Sequence, residues 1–332
     1  MKKMGLGVLL VWMMVAAAWG GVIRPGGVWL DSRGQRIEAH GGGVVRWQGR
    51  YYWFGEDRSR GNDPEKRYVG CYSSQDLAHW VSCGPVLALS DPEHLGKNWV
   101  LERPKVFPNA RTGKFVLYFH LDDAHYKFAR VGVAVSDHME GPYSYVRSFR
   151  PLGEESRDIG QFIDDDGSAY LIFESRPTGG FFIARLTDDF LGVQEKVSFL
   201  HAPLEGGTLV RWKGMYYVVG SHMTGWAPNS NVFARAEKLS GPWTEFHDIA
   251  PPEAKTYEAQ STMLLKVTGS RAETVIFMGD IWKPKALWDS RYLWMPVEMG
   301  DGRMHLPAPR PWSLDVKTGV AWGRAKADSL RE

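Results

Sequence analysis

The chain has 332 residues, a formal net charge of +2 and 15 tryptophans. Its Lys and Arg residues are scattered, so the charge gives no footprint for nucleic acid or a polyanionic substrate, and a neutral ligand fits better. The length is long for one conventional core but suits an all-β array of repeated units.

The start of the chain has the three parts of a secretory signal. Met1-Lys2-Lys3 is followed by an apolar stretch from about Leu6 to Ala18 and then by small residues. This stretch is too short to span a bilayer. We expect residues 1–20 to be a signal peptide and the mature protein to be secreted or periplasmic, free of the membrane. An uncleaved anchor is the alternative.

One phrase recurs along the chain, a glycine followed within two residues by paired β-forming residues. The copies are residues 49–53, 113–117, 167–171 and 214–218, with a degenerate fifth copy at 272–277. Each copy reads as a turn followed by an alternating strand. The spacing of about fifty to sixty residues is the length of a four-stranded propeller blade.

A second phrase marks a tight turn between the outer strands of a blade. It occurs at residues 73–80, 136–143 and 238–243, the last two with Gly-Pro. Helical periodicity is nearly absent. We therefore predict an all-β, five-bladed β-propeller over residues 21–318, followed by a polar tail at 319–332.

Closure of the ring removes an exposed sheet edge. We expect a strand at residues 27–30 to pair with the last blade near residues 312–314. Cys71 and Cys83 flank a predicted turn. In an exported protein they form either one cross-hairpin disulfide or two unrelated buried thiols, and both readings stay open.

In a propeller the innermost strand of each blade starts at the axis. The residues nine to eleven positions before the repeated turns should therefore point into the central funnel. These residues are His40, Glu102, Asp158, Glu205 and Gln260. Four of the five can hold or move a proton.

Glycoside hydrolysis needs one carboxylic acid to protonate the leaving oxygen and a second group to activate water or attack the anomeric carbon. Clustered acids raise one another's proton affinity, so one of these carboxyls can stay protonated near neutral pH. The alternative is that the acids form structural pairs with Arg103 and Arg157. A structural cation near His40 is neither supported nor excluded.

The sequence resembles glycoside hydrolase family 43 and, within it, the exo-β-1,3-galactanase group. The resemblance runs over nearly the whole mature chain. It is carried by residues 39–43 (AHGGG), 53–57 (WFGED), 102–105 (ERPK), 156–158 (SRD), 224–229 (TGWAPN) and 259–262 (AQST). Together these segments are specific, although each alone is weak.

The resemblance implies roles for individual residues. Asp158 matches the Asp that tunes the acid, and Glu205 matches the general acid. The catalytic Asp that most of the family has in the first blade is absent, since glycines occupy residues 41–43. In the galactanase group a Gln is thought to hold the attacking water, and Gln260 falls at that place. Either its imidic tautomer or Glu102 then accepts the proton.

By the same resemblance, the pocket for the terminal galactose is lined by Glu56, Glu102, Tyr126, Asp158 and Thr224. Glu56 is expected to bind the axial hydroxyl that distinguishes galactose from glucose. For Tyr126 and Thr224, ordinary packing is the alternative. Trp226 forms either a stacking wall or core.

The implied activity is release of galactose from the non-reducing end of β-1,3-galactan, the main chain of arabinogalactan, or its oligosaccharides, with inversion. We expect a monomer that needs no cofactor or metal. The alternatives are another family 43 exo-glycosidase, acting on arabinofuranosides, xylosides or other β-galactosides, and a carbohydrate-binding propeller without catalysis.

Overall fold

The computed structural model describes residues 21–323, and every long element among them is a β-strand, as the sequence predicts. Three short 3-10 helices occur at Pro151–Gly153, Pro252–Glu258 and Leu287–Asp289. No helix within residues 21–323 has the length and apolar character to cross a membrane. The predicted signal peptide and the end of the predicted tail lie outside the described residues.

After a short strand β1 (Val22–Ile23), the chain forms four consecutive antiparallel sheets of four strands each, paired in chain order. The first sheet contains β2 (His40–Trp47), β3 (Arg50–Asp57), β4 (Arg67–Ser74) and β5 (Val81–Leu89). The second contains β6 (Val100–Asn109), β7 (Lys114–Asp122), β8 (Arg130–Ser136) and β9 (Ser144–Phe149). The third contains β10 (Ile159–Ile163), β11 (Ala169–Ser175), β12 (Gly180–Leu186) and β13 (Val193–Leu200). The fourth contains β14 (Leu204–Trp212), β15 (Met215–His222), β16 (Asn231–Ala236) and β17 (His247–Asp248).

The fifth sheet has three strands, β18 (Gln260–Thr268), β19 (Glu273–Ile281) and β20 (Arg291–Pro296). A hairpin of β21 (Glu298–Gly300) and β22 (Arg303–His305) follows it. The chain then forms β23 (Trp312–Asp315) and β24 (Val320–Gly323), which pair with each other. Strand β24 lies inside the segment that the sequence predicted as a polar tail.

The repeated glycine phrase marks the first hairpin of each four-stranded sheet, as predicted. Gly49, Gly113, Gly167 and Gly214 have φ values of 81°, 71°, 83° and 82°. These angles lie in the left-handed region that glycine adopts without steric cost. The second phrase likewise falls between the third and fourth strands of the first, second and fourth sheets.

The first described strand, β1, pairs with β23 near the end of the described chain, but through other residues than predicted. Val22 and Ile23 pair with Ser313 and Trp312. The expectation for residues 27–30 is wrong, because the chain turns just before them, at residues 24–27, and Leu30 pairs with Arg36 instead, while the Trp29 indole packs against neighbouring aromatic rings. Its ring centroid lies 6.0 Å from that of Trp53, and its Nε1 donates to the Arg24 carbonyl at 2.8 Å.

The first strands of the five sheets meet at the centre of the molecule. Strand β2 contacts β6, and the contacts continue through β10, β14 and β18 back to β2. Hydrogen bonds join the neighbours: Thr262 Oγ1 donates to the Gly42 carbonyl at 2.7 Å, and Leu264 N donates to Thr208 Oγ1 at 2.8 Å. Strands β2, β6 and β14 are mostly buried, whereas the outer strand β9 has no buried residue.

The start of the first strand is bulged in four of the five sheets. The register shifts directly after His40, Glu102 and Glu205, and one residue after Gln260. Such bulges bend a strand and redirect side chains, and they are enriched beside active sites. The bulges therefore explain how polar side chains at strand starts turn toward a shared space instead of entering the core.

Aromatic packing fills the space between the first and fifth sheets. The rings of Trp53 and Trp294 lie 4.6 Å apart, and Trp80 packs 5.3 Å from Trp53. The tryptophans at positions 53, 80, 294 and 312 are all buried core residues. Cys71 and Cys83 are free thiols on the adjacent strands β4 and β5.

Candidate active site

A cavity opens beside the bulged strand starts, and most of the predicted site residues line it. Glu102, Glu205 and Gln260 reach it from first strands, and Asp158 reaches it from the segment that precedes β10. Other lining residues include Glu56, Tyr126, Arg176, Trp226 and Trp282. Of the predicted pocket residues, Thr224 alone does not line the cavity.

Glu205 is buried to 7% exposure and faces other carboxylates. Burial, together with the charges of Asp158 and Glu174, raises its pKa to about 8. Its carboxyl Oε1 accepts a hydrogen bond from Gln260 Nε2 at 2.9 Å, and its Oε2 lies 3.5 Å from Arg176 Nη2. Glu205 therefore retains a proton at neutral pH, which is the property that a general acid requires.

The Gln260 amide makes four hydrogen bonds. Its Oε1 accepts from Arg103 Nη2 at 2.6 Å and from Trp282 Nε1 at 2.9 Å. Both partners can only donate, so they fix the amide oxygen toward themselves. The amide nitrogen then donates to Glu205 and to Ser221 Oγ, the latter at 3.1 Å. Arg103 beside this oxygen opposes its protonation, so this arrangement favours the ordinary amide over the imidic tautomer.

Arg103 connects the third and fifth sheets to the second. Its Nε lies 2.8 Å from Asp158 Oδ2, and its Nη1 donates to the Ser261 carbonyl at 2.8 Å. Asp158 Oδ2 also accepts from Gly206 N at 2.9 Å. The pairing of Arg103 with Asp158 that the sequence left as an alternative is present. The Arg103 guanidinium thus binds both Asp158 and Gln260 within the site.

Glu102 is an ionised carboxylate at the cavity wall. Burial by itself raises its pKa, but His120, Arg58 and Tyr126 outweigh burial and lower the pKa to about 2. Tyr126 donates its hydroxyl to Glu102 Oε1 at 3.0 Å, and His120 Nδ1 lies 3.3 Å from Glu102 Oε2. On its far side, His120 Nε2 lies 3.0 Å from Asp122.

The His120 imidazole is thus held between two carboxylates. Burial lowers its pKa, but the contacts with Asp122 and Glu102 raise it to about 9. The ring is therefore an imidazolium at neutral pH. With this cation beside it, Glu102 stays ionised at neutral pH and can accept hydrogen bonds.

Glu56 lies beside Glu102 with both oxygens engaged. Its Oε1 accepts from Arg103 N at 3.0 Å, and its Oε2 accepts from Arg58 Nε at 2.8 Å. Burial and the Glu102 charge raise its pKa, against the opposing charge of Arg58. Arg58 Nη2 also lies 3.4 Å from Glu102 Oε1, so one guanidinium contacts both acids.

His40 reaches the centre but does not line the cavity. Its Nδ1 lies 3.0 Å from Asp280, and its Nε2 lies 3.5 Å from Glu38. The fully buried Lys105 lies nearby and its Nζ donates to the Gly41 carbonyl at 2.6 Å, while burial lowers its pKa to about 7. Burial also lowers the pKa of His40, but Asp280 and Glu38 raise it to about 9, so the imidazolium is itself a cation where the sequence left room for a structural ion.

Thr224 uses its hydroxyl inside the loop between β15 and β16. It donates to the Ala227 carbonyl at 2.6 Å and accepts from Asn229 Nδ2 at 2.7 Å. Its side chain is thus committed to the shape of the loop. That loop presents Trp226, which is 46% exposed and packs edge-on against Trp282 at 5.5 Å.

Several residues of the site were missed by sequence reasoning. They are Arg58, His120, Glu174, Arg176 and Trp282. All five come from the ends of second strands or the residues directly after them, whereas the spacing argument examined first strands only. The signal that was present is a lone charged residue in an otherwise apolar strand, such as Glu174 in Ala169–Ser175.

Within residues 21–323, one group of acidic side chains has the geometry to share a cation. Asp158, Glu174 and Glu205 each offer an oxygen atom within 4.8 Å of the others. Arg103 and Arg176 already supply positive charge at 2.8 Å from Asp158 and 3.0 Å from Glu174. We therefore assign no metal to this group.

A carboxyl that keeps its proton, beside ionised carboxylates in an open cavity lined by tryptophan, is the equipment of a glycoside hydrolase. Comparison with known proteins agrees. The profile described as "Glycosyl hydrolases family 43" matches residues 40–263. The chain belongs to this family and is a glycoside hydrolase.

Among solved structures, an exo-β-1,3-galactanase from Phanerochaete chrysosporium, crystallised with β-1,3-galactotriose, has a TM-score of 0.86 and 36% identity. The match covers 92% of this chain and 71% of that one. An exo-β-1,3-galactanase from Clostridium thermocellum has a TM-score of 0.85 and 32% identity, covering 92% and 69%. A curated relative, xylosidase/arabinosidase 43A of Humicola insolens, is 48% identical over 69 residues, which is 20% of each chain.

Proposed function

We propose that this glycoside hydrolase releases galactose from the non-reducing end of β-1,3-galactan or its oligosaccharides. The observation that carries the proposal is the similarity to exo-β-1,3-galactanases over 92% of the chain, one of them crystallised with β-1,3-galactotriose. The short match to a xylosidase/arabinosidase covers only 20% of the chain and carries far less weight.

The proposal includes the architecture. The five sheets are the blades of a five-bladed propeller, with the contacts from β2 through β18 and back to β2 around its axis. The pairing of β1 with β23 supports closure by joining the two ends of the chain. The cavity then lies at the axial end of the first strands, where ligand sites of such folds are built.

In the proposed reaction, Glu205 donates its proton to the glycosidic oxygen while water attacks the anomeric carbon from the opposite face. Inverting hydrolases separate the acid and the water-activating group by about 6.5–9.5 Å to leave room for the sugar and water. Here Gln260 Nε2 lies 2.9 Å from Glu205. Bound substrate therefore replaces this hydrogen bond and releases the Gln260 N–H groups to hold the water. Glu102 accepts a hydrogen bond from this water and takes the proton that the water loses on attack, and solvent then returns a proton to Glu205.

Asp158 and Arg103 position the acid and Gln260. Tyr126 and Glu102 bind hydroxyls of the terminal sugar, and Glu56, held by Arg58, accepts the axial hydroxyl of galactose. Losing this hydrogen bond to a charged carboxylate costs about 1.5–3 kcal/mol, which rejects the equatorial epimer by about tenfold to a hundredfold.

The test is a substrate panel with purified protein. We expect galactose from β-1,3-galactotriose, and rates at least about a hundredfold lower on β-1,4-galactobiose, xylobiose and arabino-oligosaccharides. Glu205→Gln should abolish release while retaining galactose binding. Faster release of xylose or arabinose would contradict the proposal in favour of another family 43 activity, and binding without any release would favour a carbohydrate-binding protein.

A further inference from the structure

Glu174 is a buried acid that was not predicted from the sequence and has no role in the proposed mechanism. It is 2% exposed and does not line the cavity, so it has no route to substrate. Its backbone fixes it beside the site: Glu174 N donates to the Asp158 carbonyl at 3.2 Å, and Arg157 N donates to the Glu174 carbonyl at 3.3 Å. Its side-chain position therefore follows from the pairing of two chain segments.

The two oxygens of the Glu174 carboxyl have different surroundings. Oε1 accepts from Arg176 Nε at 3.0 Å, whereas the buried Oε2 has no hydrogen-bond partner. A buried charged oxygen without a partner is costly, and a proton on the carboxyl removes that cost. Burial and the Asp158 charge raise the pKa of Glu174 to about 7.

Glu174 also belongs to the same group of carboxylates as Glu205. An oxygen of each lies within 4.8 Å of the other and of Asp158. Arg176 bridges the two glutamates, with its Nη2 3.5 Å from Glu205 Oε2. The charged groups that face Glu174 are His120 from β7, Asp158 from before β10, Arg176 from after β11, and Glu205 from β14.

We propose that Glu174 is a positioning residue that keeps the proton on Glu205, acting through its charge and through Arg176. This inference rests on the proposed role of Glu205 as general acid. At the pH where Glu174 becomes ionised, its negative charge opposes ionisation of Glu205, so the acid stays protonated through the neutral range. Asp158 is tied to Arg103, whereas Glu174 acquires its charge as the pH rises.

The test is the pH profile of kcat/KM on β-1,3-galactotriose for Glu174→Gln, an isosteric change that keeps the contact with Arg176. We expect the alkaline limb to move down by about one pH unit, with kcat/KM at pH 5 within about twofold of the parent. Glu154→Gln is the matched control. Glu154 accepts a hydrogen bond from Thr178, which follows β11, and it lies outside the group formed by Asp158, Glu174 and Glu205. Its alkaline limb should match the parent's.

If the alkaline limb of the pH profile is unchanged in Glu174→Gln, the inference is overturned. An equal loss of kcat/KM at every pH would also overturn it, because such a loss indicates a merely structural role. A second measurement needs no Glu174 variant. In carbon-13 spectra of glutamate-labelled protein, Glu205→Gln should remove one titrating carboxyl signal and lower the midpoint of one other by about one pH unit. If no other midpoint moves, Glu174 is not coupled to the acid. This titration needs no substrate, so its result can be interpreted even if the protein does not act on β-1,3-galactan.

Discussion

Replacing Glu205 by glutamine should stabilise the folded protein while it abolishes turnover. The folded-state pKa of Glu205 is about 8, against an ordinary value of 4.5. At full value this shift corresponds to about 5 kcal/mol of destabilisation once the carboxyl is ionised. Because Asp158 and Glu174 share the same charge repulsion, we take about half, and we expect a gain of about 2 kcal/mol at pH 8.5.

The sign depends on pH. Below pH 4.5 the carboxyl is protonated in both the folded and the unfolded chain, so the substitution should change little. Between pH 4.5 and about 8 the folded state holds a proton that the unfolded state releases, and the stability of the parent falls as the pH rises. The gain from Glu205→Gln therefore grows over this window and levels off above it.

The assay is thermal unfolding of parent and Glu205→Gln at pH 4, 6 and 8.5. For a chain of this size, about 2 kcal/mol corresponds to about 4 °C in Tm. The exposed Glu195, replaced by glutamine, is the control and should show no comparable trend. If the Tm difference for Glu205→Gln is absent at pH 8.5, or is largest at pH 4, Glu205 does not hold a proton in the folded protein.

Three further outcomes are expected. His120→Asn removes the imidazolium beside Glu102, and we expect KM for β-1,3-galactotriose to rise about tenfold with a smaller change in kcat. If the KM of the variant equals that of the parent at every pH from 5 to 8, His120 has no role in substrate binding. Arg103→Lys cannot hold its three partners at once, so kcat should fall at least about a hundredfold, and activity close to the parent's would refute its positioning role. Trp226→Ala should raise KM for β-1,3-galactotriose several-fold with kcat retained. A KM equal to that of the parent would show that this exposed ring does not contact sugar.

The repeating hairpins and the polar starts of the first strands followed directly from the sequence. Both depend on local chemistry: Gly49 and its counterparts permit a left-handed turn, and the spacing to each turn sets where the strand begins. The same spacing identified five residues, of which Glu102, Asp158, Glu205 and Gln260 line the cavity and His40 does not.

The network behind those residues could not be predicted, because it joins elements that are distant in the chain. Arg103 bonds Gln260 across 157 residues, and Gln260 bonds Glu205 across 55 residues. Thr224 shows a limit of inferring a contact from a local motif. Its motif suggested a pocket residue, but its hydroxyl bonds within its own loop. Local pattern gave the candidates, and tertiary pairing decided their contacts.

The most direct test of the proposed function is the stereochemistry of released galactose, followed by proton NMR from the first seconds of reaction with β-1,3-galactobiose and β-1,3-galactotriose. A direct attack by water, with Glu205 as acid, releases α-galactose first, and the β-anomer appears later by mutarotation. Initial β-galactose would contradict the inverting mechanism. Absence of galactose from both substrates would contradict the assignment to β-1,3-galactan.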